Sequence, residues 1–548
     1  MKTLASLPYK ICPPMVSAEA MRFLDNDTKR SKVSSPVFQH FGESQADIDS
    51  FEVNPDEFMT AIDAGYALMK KAGQALYNRV CEILGKDREG KSVAIFVGGG
   101  NNGGDGLVLA SLLIVNGIPC TVYSLAKPET FKDEAGFAYE DFANNGGKLV
   151  YIGEQLPESV HHTLIVDCML GNGASGELRP AFARAVIAIS GWDIPVLAAD
   201  APTGFDSANH HSGFTCIEAK ETMVFGLPRL DAYTNEGARV FGNVTVEPLE
   251  YPDELIDRVN SGIYFATEKM IPALLPDRDE FGDKRSQGTA MVIAGSGNMT
   301  GAAALCTKAC LRSGAGLVTT ATPKALLPAL QSKLDEPVFF GIGDRTTDKL
   351  SIMHLMQLQE IATHQNAIAI GPGLGTDTET QDAVRMFLTG LTIPVVVDAD
   401  AINACGSAFF CMEGGPANAI ITPHKREWER NFGPLPSNES FYPEYLQQFA
   451  TQFKITIVLK GCPTYVAIPD GRVYVIPARN SGLAKGGAGD VLTGIITALL
   501  AQGLPTAEAA VLGVLLHQKA GRLTREKMGA FGMLPTDVIE MLPAAFGC

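Results

Sequence analysis

The sequence predicts an α/β protein with two parallel-sheet domains in succession. Three observations carry this reading: two separate series of short apolar runs alternate with helical patterns, glycine-rich turns follow several of those runs, and a proline-bearing, charged seam divides the series. At 548 residues the chain exceeds one ordinary core, and its 46% apolar and 19% charged residues are those of a globular protein.

In the first series the strand-like runs lie at 92–97, 120–124, 164–167, 196–200 and 222–225, with helical patterns between them at 106–116 and 182–190. In the second they lie at 290–294, 317–321, 367–370, 395–398, 419–422 and 456–459. Short buried strands alternating with helices build parallel sheets, which hold ligands at the strand C-terminal ends. The seam at 251–283 carries Pro252, Pro272 and Pro276, so the domains are expected at 1–262 and 263–548. A polar, irregular stretch at about 29–63 reads as a surface insertion between two helical segments.

The formal charge of −17 argues against a nucleic-acid partner, because phosphate backbones need a basic face. Eleven cysteines are scattered from Cys12 to Cys548 without a CxxC pair, which suits buried thiols in a reducing compartment rather than a disulfide framework or zinc ribbon. No apolar run reaches the roughly 18 residues of a membrane span. The start, MKTLASLPYK, lacks the apolar stretch and cleavage site of a secretory signal, so a cytoplasmic protein is expected.

One motif is a decoy. Residues 85–92, GKDREGKS, fit the pattern GxxxxGK[ST], but a working phosphate loop follows a strand and opens a helix. Here a helical pattern precedes the match and a strand follows it, so the segment reads as a solvated turn.

The run ending at Val97 feeds Gly98-Gly99-Gly100-Asn101-Asn102-Gly103-Gly104-Asp105-Gly106, and a helix follows. Glycines permit close backbone approach, and a helix start offers unpaired N–H groups to a phosphate. A dinucleotide dehydrogenase also wants an acid ending the second strand, and 121–124 (TVYS) supplies none.

With its GGGNNGGDG loop, the stretch 166–177 (VDCMLGNGASGE) and the turn Asp200-Ala201-Pro202-Thr203-Gly204, the first half resembles the NAD(P)HX epimerases. That resemblance implies a Rossmann-like three-layer sheet. It implies a potassium ion on Asn102, Asp167 and Thr203, and a hydrated dinucleotide against Asn101, Asn102, Gly103, Gly104, Asp105, Gly171, Asn172, Gly173, Ala174, Ser175, Gly176, Glu177 and Asp200. Asp200, at a strand end, is the candidate proton relay. Thr203 stands for the family's usual serine and keeps the hydroxyl. Arg229 stands where lysine is common, and arginine does not readily act as a base.

In the second half the most telling segment is 480–490, NSGLAKGGAGD, which opens a helix. Backbone amides there form an anion hole for a moving phosphoryl group, and Asp490 can take a proton from an attacking hydroxyl. With Thr422-Pro423-His424-Lys425-Arg426-Glu427-Trp428-Glu429-Arg430 and Leu459-Lys460-Gly461, this half resembles the ribokinase-like kinases, and among them the ADP/ATP-dependent NAD(P)HX dehydratases. The resemblance implies hydrate contacts from Ala302, Gly373, His424, Lys425, Arg426, Glu427, Trp428, Glu429, Arg430 and Asp490. It implies nucleotide contacts from Lys460, Gly461, Cys462, Pro463, Thr464, Asn480, Ser481, Gly482, Leu483, Ala484, Lys485, Gly486, Gly487, Ala488 and Gly489. Lys425-Arg426 replaces the usual Pro-Gly, and His424 is assigned binding only.

The implied reactions are epimerisation of R- and S-NAD(P)HX and nucleotide-driven dehydration of the S form to NAD(P)H, with phosphate released. Expected cofactors are K+, Mg2+ and ADP, with ATP as the alternative donor; NADHX and NADPHX are the small-molecule partners, and a homo-oligomer is expected. Two other readings stay open at this point: a vitamin-alcohol kinase with a regulatory first half, and a first half that binds nucleotide without catalysis.

Overall fold

A computed structural model describes residues 3–31, 55–153, 155–207, 209, 215–412, 414–416 and 418–547. They fall into two compact units, Pro14–Ser261 and Gly262–Cys548, the latter joined by Met1–Pro13. The first thirteen residues thus leave the half to which their place in the sequence assigns them. Leu4, Leu7 and Cys12 enter the core of the second unit, the Leu4 N–H donates to Glu508 (3.2 Å), and the Phe265 N–H donates to the Pro13 carbonyl (2.8 Å). The helices Ala18–Ser31 and Pro55–Leu84 run into both ends of the expected insertion; 32–54 lies outside the described residues.

In the first unit the described strands are β1 (Val93–Val97), β2 (Cys120–Ser124), β3 (Leu149–Tyr151), β4 (Leu164–Cys168), β5 (Val196–Ala199), β6 (Glu221–Phe225) and β7 (Asn243–Glu247). They form a parallel seven-stranded sheet in the order β3-β2-β1-β4-β5-β6-β7. Because side chains alternate along a strand, the fully buried β1 feeds two cores. Val93, Ile95 and Val97 meet Leu107, Leu109 and Leu113 of the helix Asn101–Val115, while Ala94 and Phe96 share a core with Ala185, Val186 and Ile189 of the helix Pro180–Gly191. Three layers result. The strand order reverses between β1 and β4, which opens a crevice at their C-terminal ends. The edge strands β3 and β7 escape the apolar pattern because neither is fully buried.

The second unit holds β8 (Ile263–Phe265), β9 (Thr289–Ile293), β10 (Leu317–Pro323), β11 (Val338–Ile342), β12 (Ala367–Ile370), β13 (Val395–Val397), β14 (Ala419–Ile421), β15 (Thr456–Leu459), β16 (Thr464–Ala467) and β17 (Val473–Ile476). Among the described residues the order is β11-β10-β9-β12-β13-β14-β15-β16-β17-β8, with only β16 antiparallel to its neighbours. The seam is therefore partly structured, since 263–265 adds the strand beside β17. The helices Thr300–Arg312, Ala488–Ala501 and Thr506–Gly532 cover one face, and the middle one is buried almost all round. No helix among the described residues is long and apolar enough to cross a membrane.

Candidate functional site

The glycine run after β1 is itself helical. The helix starts at Asn101, five residues earlier than the apolar pattern indicates, with Gly100 as its N-cap. Close packing requires this composition: a Cβ on Gly103 would lie 2.0 Å from the Gly98 carbonyl oxygen. The first amides of the helix consequently sit at the β1/β4 crevice.

A cavity of about 520 Å³ opens there, within the usual range for small-molecule sites. Asn101, Asn102, Asp105, Gly171, Asn172, Gly173, Ala174 and Asp200 all line it. Gly103 and Gly104 lie buried behind it, whereas Ser175, Gly176 and Glu177 are exposed beyond its rim. The Asn172 N–H donates to Asp200 Oδ2 (2.7 Å), and Asp200 adopts a left-handed backbone (φ 64°) at the end of β5. Burial pushes the Asp200 carboxyl up, against the opposing pull of Arg229. Burial and the charges of Asp200 and Asp25 hold Asp105 well above the ordinary carboxylate range.

Asp167 is fully buried and accepts from the Thr203 N–H (2.8 Å), the Thr203 hydroxyl (2.8 Å) and the Met169 N–H (3.1 Å). Burial still lifts its carboxyl to about 6. The Leu170 N–H donates to Thr203 Oγ1 (3.2 Å), and a Cβ on neighbouring Gly171 would lie 3.4 Å from Asn102 Cγ. Both amide atoms of Asn102 are buried and lack a hydrogen-bond partner among the described residues. Arg229 is wholly buried; it donates to Asp231 (2.6 and 3.1 Å) and Ser207 (2.7 Å), so it acts as a fixed countercharge to Asp200.

In the second unit the predicted residues gather at the C-terminal ends of β9, β12, β13, β14 and β15, which are neighbours in the sheet. A Cβ on Gly373 would touch Ala302 Cβ (2.9 Å). The turns after β14 and β15 are joined, the Lys460 N–H donating to the Pro423 carbonyl (2.8 Å). Gly487, with φ 99°, caps the helix Ala488–Ala501 in a conformation that disfavours other residues and turns the chain so that Asp490 falls in its first turn. Burial and the Asp398 charge push the Asp490 carboxyl up to about 7, with Lys460 pulling the other way.

Under that turn lies a network the motifs do not reveal. Asp398, 1% exposed, accepts from the Lys460 ammonium (2.8 Å) and from the hydroxyls of Thr422 (2.7 Å) and Thr493 (2.8 Å). Burial opposes its charge, yet these partners hold its carboxyl below the usual range. A Cβ on Gly489 would lie 3.1 Å from Lys460 Nζ, so the ammonium borders the anion hole while anchored from below. The residue after Asp398, Ala399, has φ 49°, a strain of the kind that collects at functional turns.

Other predicted contacts have structural duties. His424 caps the helix Lys425–Phe432: its Nδ1 accepts from the Glu427 N–H (3.1 Å), and Glu427 accepts in return from the His424 N–H (2.9 Å). Trp428 is fully buried and stacked on Phe432 (4.6 Å), while Lys425 pairs with Glu439 (2.7 Å) and Arg430 donates to Asn403 (3.1 Å). Arg426 and Glu429 are exposed. Lys485 donates to the carbonyls of Phe531 (2.8 Å) and Met533 (2.6 Å), stapling the loop 480–487; Asn480 caps Gly482 (3.0 Å), and Leu483 packs beside Gly521. Ser481, Ala484, Gly486, Gly461 and Cys462 are exposed, while Pro463 and Thr464 are buried at the start of β16.

The sequence gives no role to Asp25 and Lys29 of the first cavity or to Asp398 of the second network, although the charged turn 398–403 stands out after a strand-like run. Asp398 had a signal, an acid ending a strand. Asp25 and Lys29 had none, because a polar helix face looks the same whether it meets solvent or a cavity.

Two family models match separate stretches of the chain. Residues 65–230 match the family model described as YjeF-related protein N-terminus, and 290–544 match NAD(P)H-hydrate dehydratase. The bifunctional NAD(P)H-hydrate repair enzyme of Moorella thermoacetica is 33% identical over 487 residues, covering 87% of this chain and 91% of its own. That of Escherichia coli K12 is 30% identical, covering 87% and 88%, and that of Salinibacter ruber 29%, covering 97% and 96%. Among solved structures, the ADP/ATP-dependent NAD(P)H-hydrate dehydratase of Bacillus subtilis, co-crystallised with ATP and Mg2+, is 31% identical and covers 51% of this chain and 96% of its own (TM-score 0.45). With both halves matched in order and relatives aligned over most of their length, the chain belongs to the bifunctional NAD(P)H-hydrate repair enzymes.

Proposed function

We propose that the second unit dehydrates S-NAD(P)HX by phosphorylating its hydroxyl, and that the first unit interconverts the R and S hydrates. The observation that carries this reading is Asp490, lifted to about 7 at the mouth of a glycine-lined helix start beside the Lys460 ammonium. A carboxylate with that proton affinity is matched to taking a hydroxyl proton near neutral pH. Asp490 accepts the proton from the ring hydroxyl as the hydroxyl oxygen bonds to the terminal phosphorus of the nucleotide, and the bond from that phosphorus to the bridging oxygen breaks, so that ADP leaves as AMP. The amides of Gly486, Gly487, Ala488 and Gly489 hold the charge that develops on the phosphoryl oxygens. Hydroxide leaves a carbon poorly, whereas phosphate leaves readily, and its departure with loss of a neighbouring ring proton restores NAD(P)H.

ADP is the proposed donor, on the fused arrangement of the two halves, with ATP as the alternative. Magnesium would supply charge screening on the nucleotide phosphates. In the first unit potassium suits the oxygen set of Asn102, Asp167 and Thr203, because the buried amide oxygen of Asn102 lacks a partner among the described residues and Asp167 carries a charge that burial penalises. Such an ion would supply a fixed positive charge for the dinucleotide phosphates. Asn101 and the helix amides bind the pyrophosphate, and Asp200, oriented by the Asn172 N–H, moves a proton at the hydrated carbon.

The test is a coupled assay with mixed NADHX epimers and ADP or ATP. Wild type should restore the reduced-nicotinamide absorbance of the whole pool; no recovery with either nucleotide overturns the reading. For Asp200→Ala, recovery should stop at the S share of the pool, leaving the R hydrate in solution, because only the second unit would still work. Unchanged conversion of R to S would remove Asp200 from the mechanism.

A further inference from the structure

We propose that Asp25 is a second acid–base group of the first cavity, delivering the proton taken by the hydroxyl that departs when the hydrated ring carbon inverts. This rests on the reading of the first unit as an epimerase.

The helix Ala18–Ser31 buries Met21, Leu24 and Thr28. Arg22, Asp25, Asn26 and Lys29, spaced i, i+3, i+4 and i+7, line the cavity instead. A polar stripe at helical spacing therefore faces a solvent-connected cavity that Asp105 and Asp200 also border. Two residues further on, Asp27 shows the ordinary fate of an acid on this helix, an ion pair with Arg258 (3.0 Å). Asp25 has no ion pair among the described residues. Its Oδ1 accepts from the hydroxyl of buried Tyr251 (2.6 Å), and its Oδ2 makes no hydrogen bond there. One oxygen is thus fixed in place, and the other remains available to the cavity.

Inversion at this carbon needs two proton positions. Hydration of an enamine places the hydroxyl on the carbon beside the ring nitrogen. When the C–O bond breaks, the nitrogen lone pair forms C=N⁺, and the hydroxyl leaves as water after taking a proton from the Asp25 carboxyl. A water then adds to the other face, its C–O bond forms, the C=N⁺ electrons return to nitrogen, and the released proton passes to the Asp200 carboxylate. One water leaves and one enters; exchange with solvent resets the two acids. Asp200 at the end of β5 and Asp25 on the helix supply the two positions from separate elements. Burial, opposed by the Tyr251 hydrogen bond, and the Asp200 charge, opposed by Lys29, leave Asp25 at about 6, so part of the population keeps the proton near neutrality. Asp105, Asp200, Lys29 and Tyr251 are the titratable groups that bear on it.

The experiment follows R-to-S conversion directly, by separating the epimers, in the intact chain across the pH range. Asp25→Asn keeps an oxygen for Tyr251 but has no proton to give. It should lower kcat by about 100-fold or more, leave KM within threefold, and erase the fall in rate that wild type shows as pH rises through about 6. Tyr251→Phe removes a bond that favours the ionised form, so the same fall should move to higher pH with substantial activity retained. That shift decides the matter if Asp25→Asn fails to fold. Asp25→Asn activity within threefold of wild type, a change confined to KM, or an unshifted profile in Tyr251→Phe overturns the proposal. Wild type that does not interconvert the epimers overturns the epimerase reading itself, and this proposal with it.

Discussion

Asp490→Asn is expected to slow dehydration by about 10²–10⁴-fold while leaving nucleotide binding within about threefold of wild type. Asparagine keeps the shape of the helix start and its amides but cannot accept the hydroxyl proton. General-base catalysis contributes about 10²–10⁴-fold, or roughly 3–5 kcal/mol of barrier. The wild-type rate should rise with pH through about 7, as Asp490 ionises, and the residual rate of the variant should lack that limb. Stability moves the opposite way. A carboxyl whose proton affinity is raised by folding contributes stability at low pH and loses it as pH rises through the folded value. Above about pH 7 the variant should therefore melt higher than wild type. Single-turnover phosphate release and thermal melts at pH 6 and 8 read both effects, and turnover near wild type would place the base elsewhere.

The second large effect is expected at Asp398. Asp398→Asn keeps the volume but leaves the part-buried Lys460 ammonium without its carboxylate; stranding one charge of a fully buried pair costs about 3–5 kcal/mol, and the exposure of the lysine places this loss toward the lower end. Thermal unfolding of the second unit should show that loss. Asp398→Asn with Lys460→Met should recover much of it, because removing both charges leaves neither stranded. The pair also sets a pH window. The depressed Asp398 contributes stability above its unfolded value of about 4, lost as pH falls through the lower folded value; the raised Lys460 contributes below its unfolded value of about 10, lost as pH rises past the higher folded one. Removing the Asp398 charge should also move the Asp490 limb of the dehydration profile to lower pH, since that charge helps to raise Asp490 and the freed ammonium would lower it. Unchanged melting and an unmoved limb together would show that the pair neither supports the turn nor tunes its acid.

The alternation of strand and helix, the two successive sheets and the turns that bear glycine and acid are all legible in the order of the amino acids. These are short-range properties: apolar periodicity is set by backbone geometry, and a glycine-rich helix start announces itself within ten residues. The same order also excludes the decoy at 85–92, which the structure places between the helix ending at Leu84 and β1. Which polar groups end in low-dielectric contact is settled by the folded chain alone. Lys460 and Asp398 are 62 positions apart, and Tyr251 and Asp25 are 226 apart. His424 and Trp428, one a helix cap and the other a core residue, look in the sequence like members of one binding motif. Burial fixes proton affinity, and burial depends on what distant segments bring to a side chain, so the chemistry of Asp490 and Asp25 could be assigned only after the chain was folded around them.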